Sequence, residues 1–216
     1  MSQNRSNAVM ASRVEAHDSL DFFPTPPWAT RALCEWLRGV RCNLSTLNAW
    51  EPACGRGDMA APLSEYFKSV RASDVHDYGF GEWDDFLFHD PKRPRVDWII
   101  TNPPFRLGQQ FVERAMRDAS EGVAMLVRTA FLESAERHSR LFSVTPPTEV
   151  LQFVERVPMF KGRLDRHGST ATAYCWLVWR HRPLLPINFG TRFHWIAPCR
   201  KRLERDSDYP AEAASS

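Results

Sequence analysis

Short apolar runs alternate with amphipathic stretches along most of the chain. Short apolar runs of this kind are typical of strands buried on both faces of a parallel sheet. The longer stretches repeat apolar residues every three or four positions, as amphipathic helices do. Strands are predicted at residues 46–50, 70–73, 97–101, 122–127, 149–154 and 172–179. Helices are predicted at residues 26–39, 59–68, 107–119 and 131–142.

The order of these elements predicts the fold class. Strands that alternate with helices form βαβ units, so we expect an α/β domain with a seven-stranded, mostly parallel sheet and helices on both faces. No helix is predicted between the last two strands, which we therefore expect to form an antiparallel C-terminal hairpin at one edge. Thr25 is expected to cap the first helix, which begins with Pro26 and Pro27.

The chain divides into three segments by composition and periodicity. Residues 1–20 lack periodicity and are predicted to be a disordered N-terminal arm. Residues 21–182 contain every predicted strand and helix and are expected to form one domain. Residues 183–216 are rich in Pro and Arg and are predicted to be a basic extension, disordered from residue 210.

The composition is that of an ordinary soluble protein, with 43% of the 216 residues hydrophobic and 25% charged. No apolar run approaches the roughly 18 residues that a membrane span requires. The polar N-terminus lacks the apolar region of a secretory signal. The five Cys residues are scattered, which indicates reduced thiols in a cytoplasm and argues against a disulfide framework or a zinc site. We expect no metal.

A glycine-rich turn lies between the first predicted strand and the second predicted helix. Gly55 and Gly57 allow a tight turn and a close approach of the backbone to a ligand at the start of a helix. Asp74 ends the next strand, where a carboxylate can accept hydrogen bonds from both hydroxyls of a ribose. The pattern therefore predicts a cofactor that contains a nucleoside. The alternative is an incidental glycine-rich turn in an α/β domain.

The residues before this turn bear on the type of cofactor. A dinucleotide-dependent dehydrogenase would show the same spacing of glycines and acid. Glu51 and Pro52 argue mildly against it, because a carboxylate at the tip of the strand would repel a pyrophosphate. The same carboxylate suits a cofactor that carries an amino acid and a sulfonium cation.

The stretch from Asp97 to Phe105 is a short apolar strand that ends in Asn102, Pro103 and Pro104. The prolines end the strand because they cannot donate to a ladder. The Asn102 amide oxygen and the Pro103 carbonyl are adjacent acceptors that can hold both N–H bonds of one planar NH₂ group. Such a grip favours a tetrahedral nitrogen with its lone pair directed at an electrophile. Phe105 offers a face for stacking. The alternative is a strand terminator with a core Phe.

Together these motifs resemble the class I S-adenosylmethionine-dependent amino methyltransferases of the Asn-Pro-Pro-aromatic group. Residues 21–180 are similar to DNA adenine-N6 methyltransferases, including small phage- and prophage-type ones. The resemblance implies a Rossmann-like fold, S-adenosyl-L-methionine as the cofactor, and transfer of its methyl group to N6 of adenine in DNA. It also implies that a base inside a duplex is flipped out.

The resemblance further implies roles for particular residues. Catalysis is assigned to Asn102, Pro103, Pro104 and Phe105. Cofactor binding is assigned to Phe23, Thr25, Pro26, Glu51, Ala53, Cys54, Gly55, Gly57, Asp74, Val75, Asp85 and Phe86. Substrate binding is assigned to Phe105, Phe160, Lys161 and Arg163. Asp84 competes with Asp85 for its role, and Phe160 can equally be a core residue.

Larger DNA methyltransferases carry a separate target-recognition domain, for which this chain has no room. The net charge is only +2, so a nucleic-acid partner would have to meet a local basic patch. The candidate contact regions are the loop at 77–94, the basic loop at 161–169 and the C-terminal segment, where Phe193 and Trp195 lie among arginines. The alternative is a solvated basic surface.

Three other functions share parts of this pattern. RNA base methyltransferases acting on adenine-N6 or guanine-N2 have the same tip, as do glutamine-N5 protein methyltransferases. The basic C-terminal segment argues mildly against a protein substrate. The third is a nucleic-acid-binding module without turnover, against which the intact Asn102, Gly55 and Gly57 argue. DNA is favoured as the partner, and no oligomeric state is predicted.

Overall fold

The computed structural model describes residues 21–40, 42–88, 90–181 and 190–209. The predicted arm at 1–20 and the predicted disordered end at 210–216 lie outside these ranges. Eight strands form one sheet in the described chain. They are β1 Asn48–Glu51, β2 Ser69–Asp74, β3 Glu82–Trp83, β4 Val96–Thr101, β5 Ala119–Arg128, β6 Glu149–Phe153, β7 Tyr174–Arg180 and β8 Arg192–Ile196. The strand order is β3-β2-β1-β4-β5-β7-β6-β8.

The sheet is mixed and mostly parallel, as predicted. β1 pairs in parallel with β2 and β4, β4 pairs with β5, and β2 pairs with β3. β7 lies antiparallel between β5 and β6, so the predicted hairpin is present but does not form the edge. The edge is β8, which pairs in parallel with β6.

The predicted count of seven strands is therefore wrong. β8 lies within the segment predicted to be a basic extension, and its residues alternate between half-buried and exposed. A half-covered edge strand of this kind has a weak hydrophobic signal, and its partner β6 is distant in the chain. The division of the chain at residue 182 stays a prediction.

Five α-helices pack around the sheet in the described residues. They are α1 Pro27–Gly39, α2 Ala60–Ser64, α3 Gly108–Asp118, α4 Ala135–Arg137 and α5 Arg200–Leu203. α1 has a proline in its first turn, as expected. Its N-cap is Pro26 and carries no side-chain cap, so the predicted capping role of Thr25 is wrong. The Thr25 hydroxyl accepts a hydrogen bond from a distant side chain instead.

The predicted helix at 131–142 is broken into three short pieces. A 3₁₀ turn, Thr129–Leu132, precedes α4, and a π-helical turn, His138–Phe142, follows it. The guanidinium of Arg137 donates to the carbonyls of Phe131, Ala130 and Glu133. Those carbonyls are satisfied by a side chain, so the turn is stable without a continuous helical ladder.

The two faces of the sheet carry separate hydrophobic cores. On β4, Trp98 and Ile100 pack with α1, α2 and α5, while Ile99 packs with α3 on the opposite face. The strict alternation, with all three side chains buried, shows why this run reads as continuously apolar. The strand connections diverge between β1 and β4, and the crevice outside the carboxyl ends of these strands is where an open α/β sheet binds ligands.

A buried arginine ties the C-terminal segment to the helices of the first core. Arg31 on α1 is 3% exposed and donates to the carboxylates of Glu65 and Asp208 and to the carbonyl of Leu203. These acceptors hold the guanidinium in its charged form, so the pKa of Arg31 is raised. The segment after α5 thereby becomes part of the folded unit.

Candidate active site

A cavity of about 320 Å³ lies at the carboxyl ends of β1, β2 and β4. Thirteen of the residues predicted from the sequence lie on its wall. They are Phe23, Thr25, Glu51, Ala53, Cys54, Asp74, Val75, Asp85, Phe86, Asn102, Pro103, Pro104 and Phe105. The predicted residues Pro26, Gly55, Gly57, Phe160, Lys161 and Arg163 do not line it.

The glycine turn is built as a cradle, but aromatic rings cover it. Gly55 and Gly57 have φ values of 51° and 88°, in the left-handed region that favours glycine. A Cβ atom at Gly55 would lie 2.3 Å from the Phe22 ring, and one at Gly57 would lie 2.5 Å from the Phe80 ring. Gly55 and Gly57 therefore face these rings, while Ala53, Cys54 and Phe22 line the cavity.

Asp74 links the end of β2 to the glycine turn. Its Oδ2 accepts a hydrogen bond of 2.9 Å from the Gly55 amide, and its Oδ1 accepts one of 3.0 Å from the His76 amide. Each carboxylate oxygen has two lone pairs, so Asp74 retains capacity to accept hydroxyl groups from the cavity side.

Glu51 is a buried carboxyl at the tip of β1. It is 2% exposed, and its Oε2 has no hydrogen-bond partner among the described residues. Burial raises the pKa of Glu51 well above its ordinary value, and the nearby carboxyls of Asp58 and Asp74 raise it further. Burial also raises the pKa of Asp58. A cation bound in the cavity would relieve this crowding of acids.

Asn102, directly after β4, is held in one orientation by its amide nitrogen. Nδ2 donates to the Phe23 carbonyl at 2.9 Å and to the Thr25 hydroxyl at 3.2 Å. The Phe23 carbonyl can only accept, which assigns the NH₂ end of the amide to this side. The other end, Oδ1, is buried and has no partner among the described residues. Asn102 therefore presents a preoriented, unsatisfied acceptor at the cavity wall.

Phe105 is fixed at the rim of the cavity by the segment that precedes α1. Its amide donates to Asp21 Oδ2 at 2.6 Å. Its ring packs against the Phe23 ring with centroids 5.0 Å apart. The guanidinium carbon of Arg128 lies 3.7 Å from the centroid of the Phe105 ring.

Asp84 and Asp85 differ in position. Asp84 forms ion pairs with Arg71 and Arg93 and does not line the cavity. Asp85 lines it, and its Oδ1 accepts a hydrogen bond from the Leu87 amide. Geometry therefore favours Asp85 of the two candidates.

The basic loop contacts the cavity wall without lining it. The Gly162 amide donates to the Phe22 carbonyl at 2.9 Å. Lys161 and Arg163 are exposed, and the Arg163 guanidinium lies 5.4 Å from the centroid of the half-buried Phe160 ring. A Cβ atom at Gly168 would lie 2.1 Å from that ring, so Phe160 packs against its own loop.

Sequence reasoning missed the aromatic wall beside Asp74. Phe22 and His76 both pack against Tyr78, each with ring centroids 4.6 Å apart, and all three line the cavity. The available signal was position: His76 and Tyr78 follow the same strand end as Val75.

Metal binding and membrane insertion receive no support from the described residues. No group of three or more His, Cys, Asp and Glu side chains there could hold a metal ion. Within the same ranges, no helix has the length and apolar character needed to cross a membrane. The five cysteines are free thiols.

No protein-family profile and no curated protein sequence matches this chain. Solved structures do match. A protein from Listeria monocytogenes, assigned as a class I S-adenosylmethionine-dependent methyltransferase, gives a TM-score of 0.59 at 12% identity over 82% of this chain and 67% of that chain. A protein from Pyrococcus horikoshii, assigned as an RNA methyltransferase, gives 0.56 at 17% identity over 73% of this chain and 85% of that chain.

A third similar structure is a modification subunit assigned to a type I restriction enzyme of Vibrio vulnificus. Its TM-score is 0.55 at 17% identity, over 90% of this chain and 51% of that chain. This chain therefore spans about half the length of that subunit. At these identities the likeness establishes the fold, which is the Rossmann-like α/β fold of class I S-adenosylmethionine-dependent methyltransferases. The predicted fold class is confirmed.

Proposed function

We propose that this protein transfers a methyl group from S-adenosyl-L-methionine to the exocyclic amino group of a nucleic-acid base, and that the base is adenine, at N6, in DNA. The observation that carries the proposal is Asn102. Its Nδ2 is anchored by Phe23 and Thr25, while its buried Oδ1 has no partner in the part of the chain that the structure describes. A buried acceptor without a partner is costly, and a substrate N–H bond would satisfy it.

The donor set of the cavity suits S-adenosyl-L-methionine. The orphaned carboxylate oxygen of Glu51 fits a cationic group, and the cofactor carries an amino group and a sulfonium. Asp74 has lone pairs for ribose hydroxyls, while Asp85 and Phe86 supply an acceptor and a ring for an adenine. When bound, the cofactor supplies a methyl carbon attached to a positively charged sulfur.

The protein's part in the reaction is orientation rather than proton removal. Asn102 Oδ1 and the Pro103 carbonyl accept the two N–H bonds of the target amine, which favours a tetrahedral nitrogen. Pro104 stiffens the tip that carries both acceptors. Phe105 stacks on the plane of the base, so the amino group meets the acceptors at a fixed height. The acceptors also stabilise positive charge that develops on the nitrogen.

Nucleic acid is the favoured substrate class because of charge and fold. Lys161, Arg163 and Arg166 form a basic loop next to the segment that walls the cavity. The similar structures include a restriction-modification subunit and an RNA methyltransferase. DNA is the first choice, with a flipped-out base and a cytoplasmic location. RNA is the second candidate, which the likeness to the Pyrococcus protein favours.

The proposal is tested by incubating the protein with methyl-labelled cofactor and, in parallel, duplex DNA, total RNA and cell protein. Each sample is then digested, and the labelled nucleoside or residue is identified by mass spectrometry. We expect label in N6-methyladenine from DNA. Label in RNA adenine would keep the chemistry and change the substrate, whereas label only in guanine or glutamine would contradict the proposal.

A further inference from the structure

An arginine covers the ring on which the proposed target base would stack. Arg128 is the last residue of β5, the strand next to β4, so it lies at the same edge of the sheet as Asn102. Its guanidinium carbon is 3.7 Å from the centroid of Phe105 and 5.8 Å from that of Phe23. These distances put the charged group against the rings of the site.

The arrangement resembles the stacking of a base. A guanidinium is planar and packs on an aromatic face at about the separation of stacked rings. Phe105 is held from behind by its amide bond to Asp21 and by the Phe23 ring. Arg128 is exposed to solvent and does not line the main cavity, so it lies on the side of Phe105 that faces the smaller cavity. A base that stacks on this face must displace the guanidinium.

Arg128 has a side-chain hydrogen bond with Tyr174, whereas a neighbouring arginine is held by more partners. Arg137 also lies over an aromatic ring, 4.5 Å from the centroid of Phe131. It is fixed there by hydrogen bonds to three backbone carbonyls. Arg128 and Arg137 both line a smaller cavity of about 180 Å³ beside Phe105. This cavity gives the Arg128 side chain space into which to move.

The charge around the site suggests where a displaced guanidinium would bind. Between residues 77 and 90, on the β2–β3 side, the sequence has five acidic residues and no Lys or Arg. On the side of β5, Arg128 is exposed, whereas the basic loop contacts Phe22 and Arg56 beside the glycine turn. A polyanion is therefore favoured on the side of β5, where its phosphates would meet Arg128.

We propose that Arg128 occupies the stacking face of Phe105 in the free protein, is displaced by the incoming base, and then binds a phosphate of the same nucleic acid. The inference rests on the proposed function, because it presupposes that a base enters this site. Arg128 thereby contacts the substrate, because its guanidinium leaves the Phe105 ring and binds a phosphate.

The test compares Arg128→Ala, Arg128→Lys and the wild type with two probes. The first probe is 2′-deoxyadenosine, which has a base but no phosphate, measured by equilibrium dialysis with the cofactor site saturated by an unreactive cofactor analogue. The second is the nucleic acid that the wild type methylates, measured by fluorescence anisotropy at several salt concentrations. Arg38→Ala is the matched control. Arg38 lies on α1, is exposed, and packs over the Tyr66 ring away from the cavity.

Arg128→Ala should shift the two affinities in opposite directions. Deoxyadenosine should bind about threefold more tightly, because no cation–π contact has to be broken first. The nucleic acid should bind more weakly, and the slope of log K against log salt should become shallower by about 0.7 to 0.9, the value for one phosphate contact. Arg128→Lys should gain affinity for deoxyadenosine and keep most of the salt slope. Arg38→Ala should leave both affinities unchanged.

Two binding results would overturn the inference. A parallel loss of affinity for both probes would mean that Arg128 only supports the fold. Unchanged deoxyadenosine binding would mean that the Phe105 face is not blocked. If Arg128→Ala fails to fold in a thermal melt, the lysine variant carries the test by the same two affinities. If the wild type methylates a nucleic acid but Arg128→Ala does not shift the two affinities in opposite directions, the inference fails and the proposed function stands. If the wild type methylates no nucleic acid, the inference and the proposed function both fail.

Discussion

β1 and β4 are paired neighbours in the sheet, yet they end in acceptors of different kinds. Glu51 at the tip of β1 and Asn102 just after β4 both line the cavity, and each has one buried oxygen that no described residue contacts by a hydrogen bond. The carboxyl of Glu51 is crowded by the acids Asp58 and Asp74. The amide of Asn102 is neutral and is anchored through its nitrogen.

The difference separates two tasks within one cavity. An orphaned carboxylate oxygen favours a permanent cation and depends on pH, because the carboxyl must be ionised to bind it. An orphaned amide oxygen favours a neutral N–H donor and does not titrate. We therefore assign the cationic cofactor to the β1 tip and the neutral amine to the β4 tip, and each substitution below alters one tip while sparing the other.

The largest effect is expected from Asn102→Ala. Removing the neutral acceptor should lower kcat by about 10²- to 10³-fold, the loss seen when one preorganised hydrogen-bonding group is removed from a reacting centre. The affinity for the cofactor should change little, because the β1 tip is intact. Single-turnover methylation and calorimetric titration of the cofactor measure the two quantities.

Asn48→Ala is the matched control for Asn102. Asn48 lies at the start of β1, at the end of the strands away from the cavity. Its side chain forms hydrogen bonds with Asp97 and Ser69 there. Its loss should leave kcat unchanged. Normal turnover by Asn102→Ala would disprove the assignment of the amine to the β4 tip.

Glu51→Gln should weaken binding of the cofactor by about 10- to 100-fold, the size of a hydrogen bond to a charged group. The wild-type affinity should also fall as the pH is lowered through the raised pKa of Glu51, because the protonated carboxyl cannot pair with a cation. The variant should lose this pH dependence. Titrations of the cofactor at several pH values would reveal it, and equal affinities at all pH values in the wild type would contradict it.

At a pH above the raised pKa of Glu51, the same variant should stabilise the free protein by about 1 kcal/mol, because it removes a buried carboxylate that lacks full compensation. The folded pKa of Glu51 lies above its ordinary value. Protonation of Glu51 therefore adds to the free energy of unfolding. This contribution is fully present below the ordinary pKa of a glutamate and is lost as the pH rises through the raised pKa of Glu51. Denaturant unfolding of the wild type and the variant across this range measures the difference.

Glu149→Gln is the control for that stability change. Glu149 is also fully buried, but it pairs with Arg192 and Thr148. Breaking this pair should destabilise the protein by about 3 kcal/mol. If both glutamine variants lose stability, Glu51 has a partner that stabilises its charge.

The smallest effect is expected from Thr25→Val. Asn102 keeps the Phe23 carbonyl and loses only the Thr25 hydroxyl, so kcat should fall by about 3- to 10-fold, the worth of one hydrogen bond. Thr30→Val is the matched control, because the buried Thr30 hydroxyl has no partner among the described residues. It should retain full kcat. A rate loss of equal size in both variants would trace the effect to packing rather than to Asn102.

The sequence predicted what short-range patterns determine. β4 and its tip were predictable because an apolar run, an amide and two prolines are consecutive in the chain. The cavity wall followed largely from the same strand ends, since the carboxyl ends of parallel strands converge. Glu51 was correctly singled out as a carboxylate at a strand tip, and its burial explains why its charge matters.

The wrong predictions concern residues and strands whose partners are remote in the chain. Thr25 has the chemistry of a helix cap, but it accepts from Asn102, 77 residues away. β8 needs β6 to be a strand at all. The interruption of the helix at 131–142 depends on where the Arg137 guanidinium folds back. None of these contacts produces a periodic pattern in the sequence. In each case tertiary contacts select one of several conformations that the local sequence allows.

The buried Arg31 has a consequence for synthesis on the ribosome. Once Ile196 has emerged, every strand of the described sheet is available. Arg31 then has Glu65, but the Leu203 carbonyl and the Asp208 carboxylate, 172 and 177 residues away, are still to come. Until then the segment that carries these acceptors does not cover Arg31. We therefore expect α1 to reach its full stability only after the turn at Asp208 has left the exit tunnel.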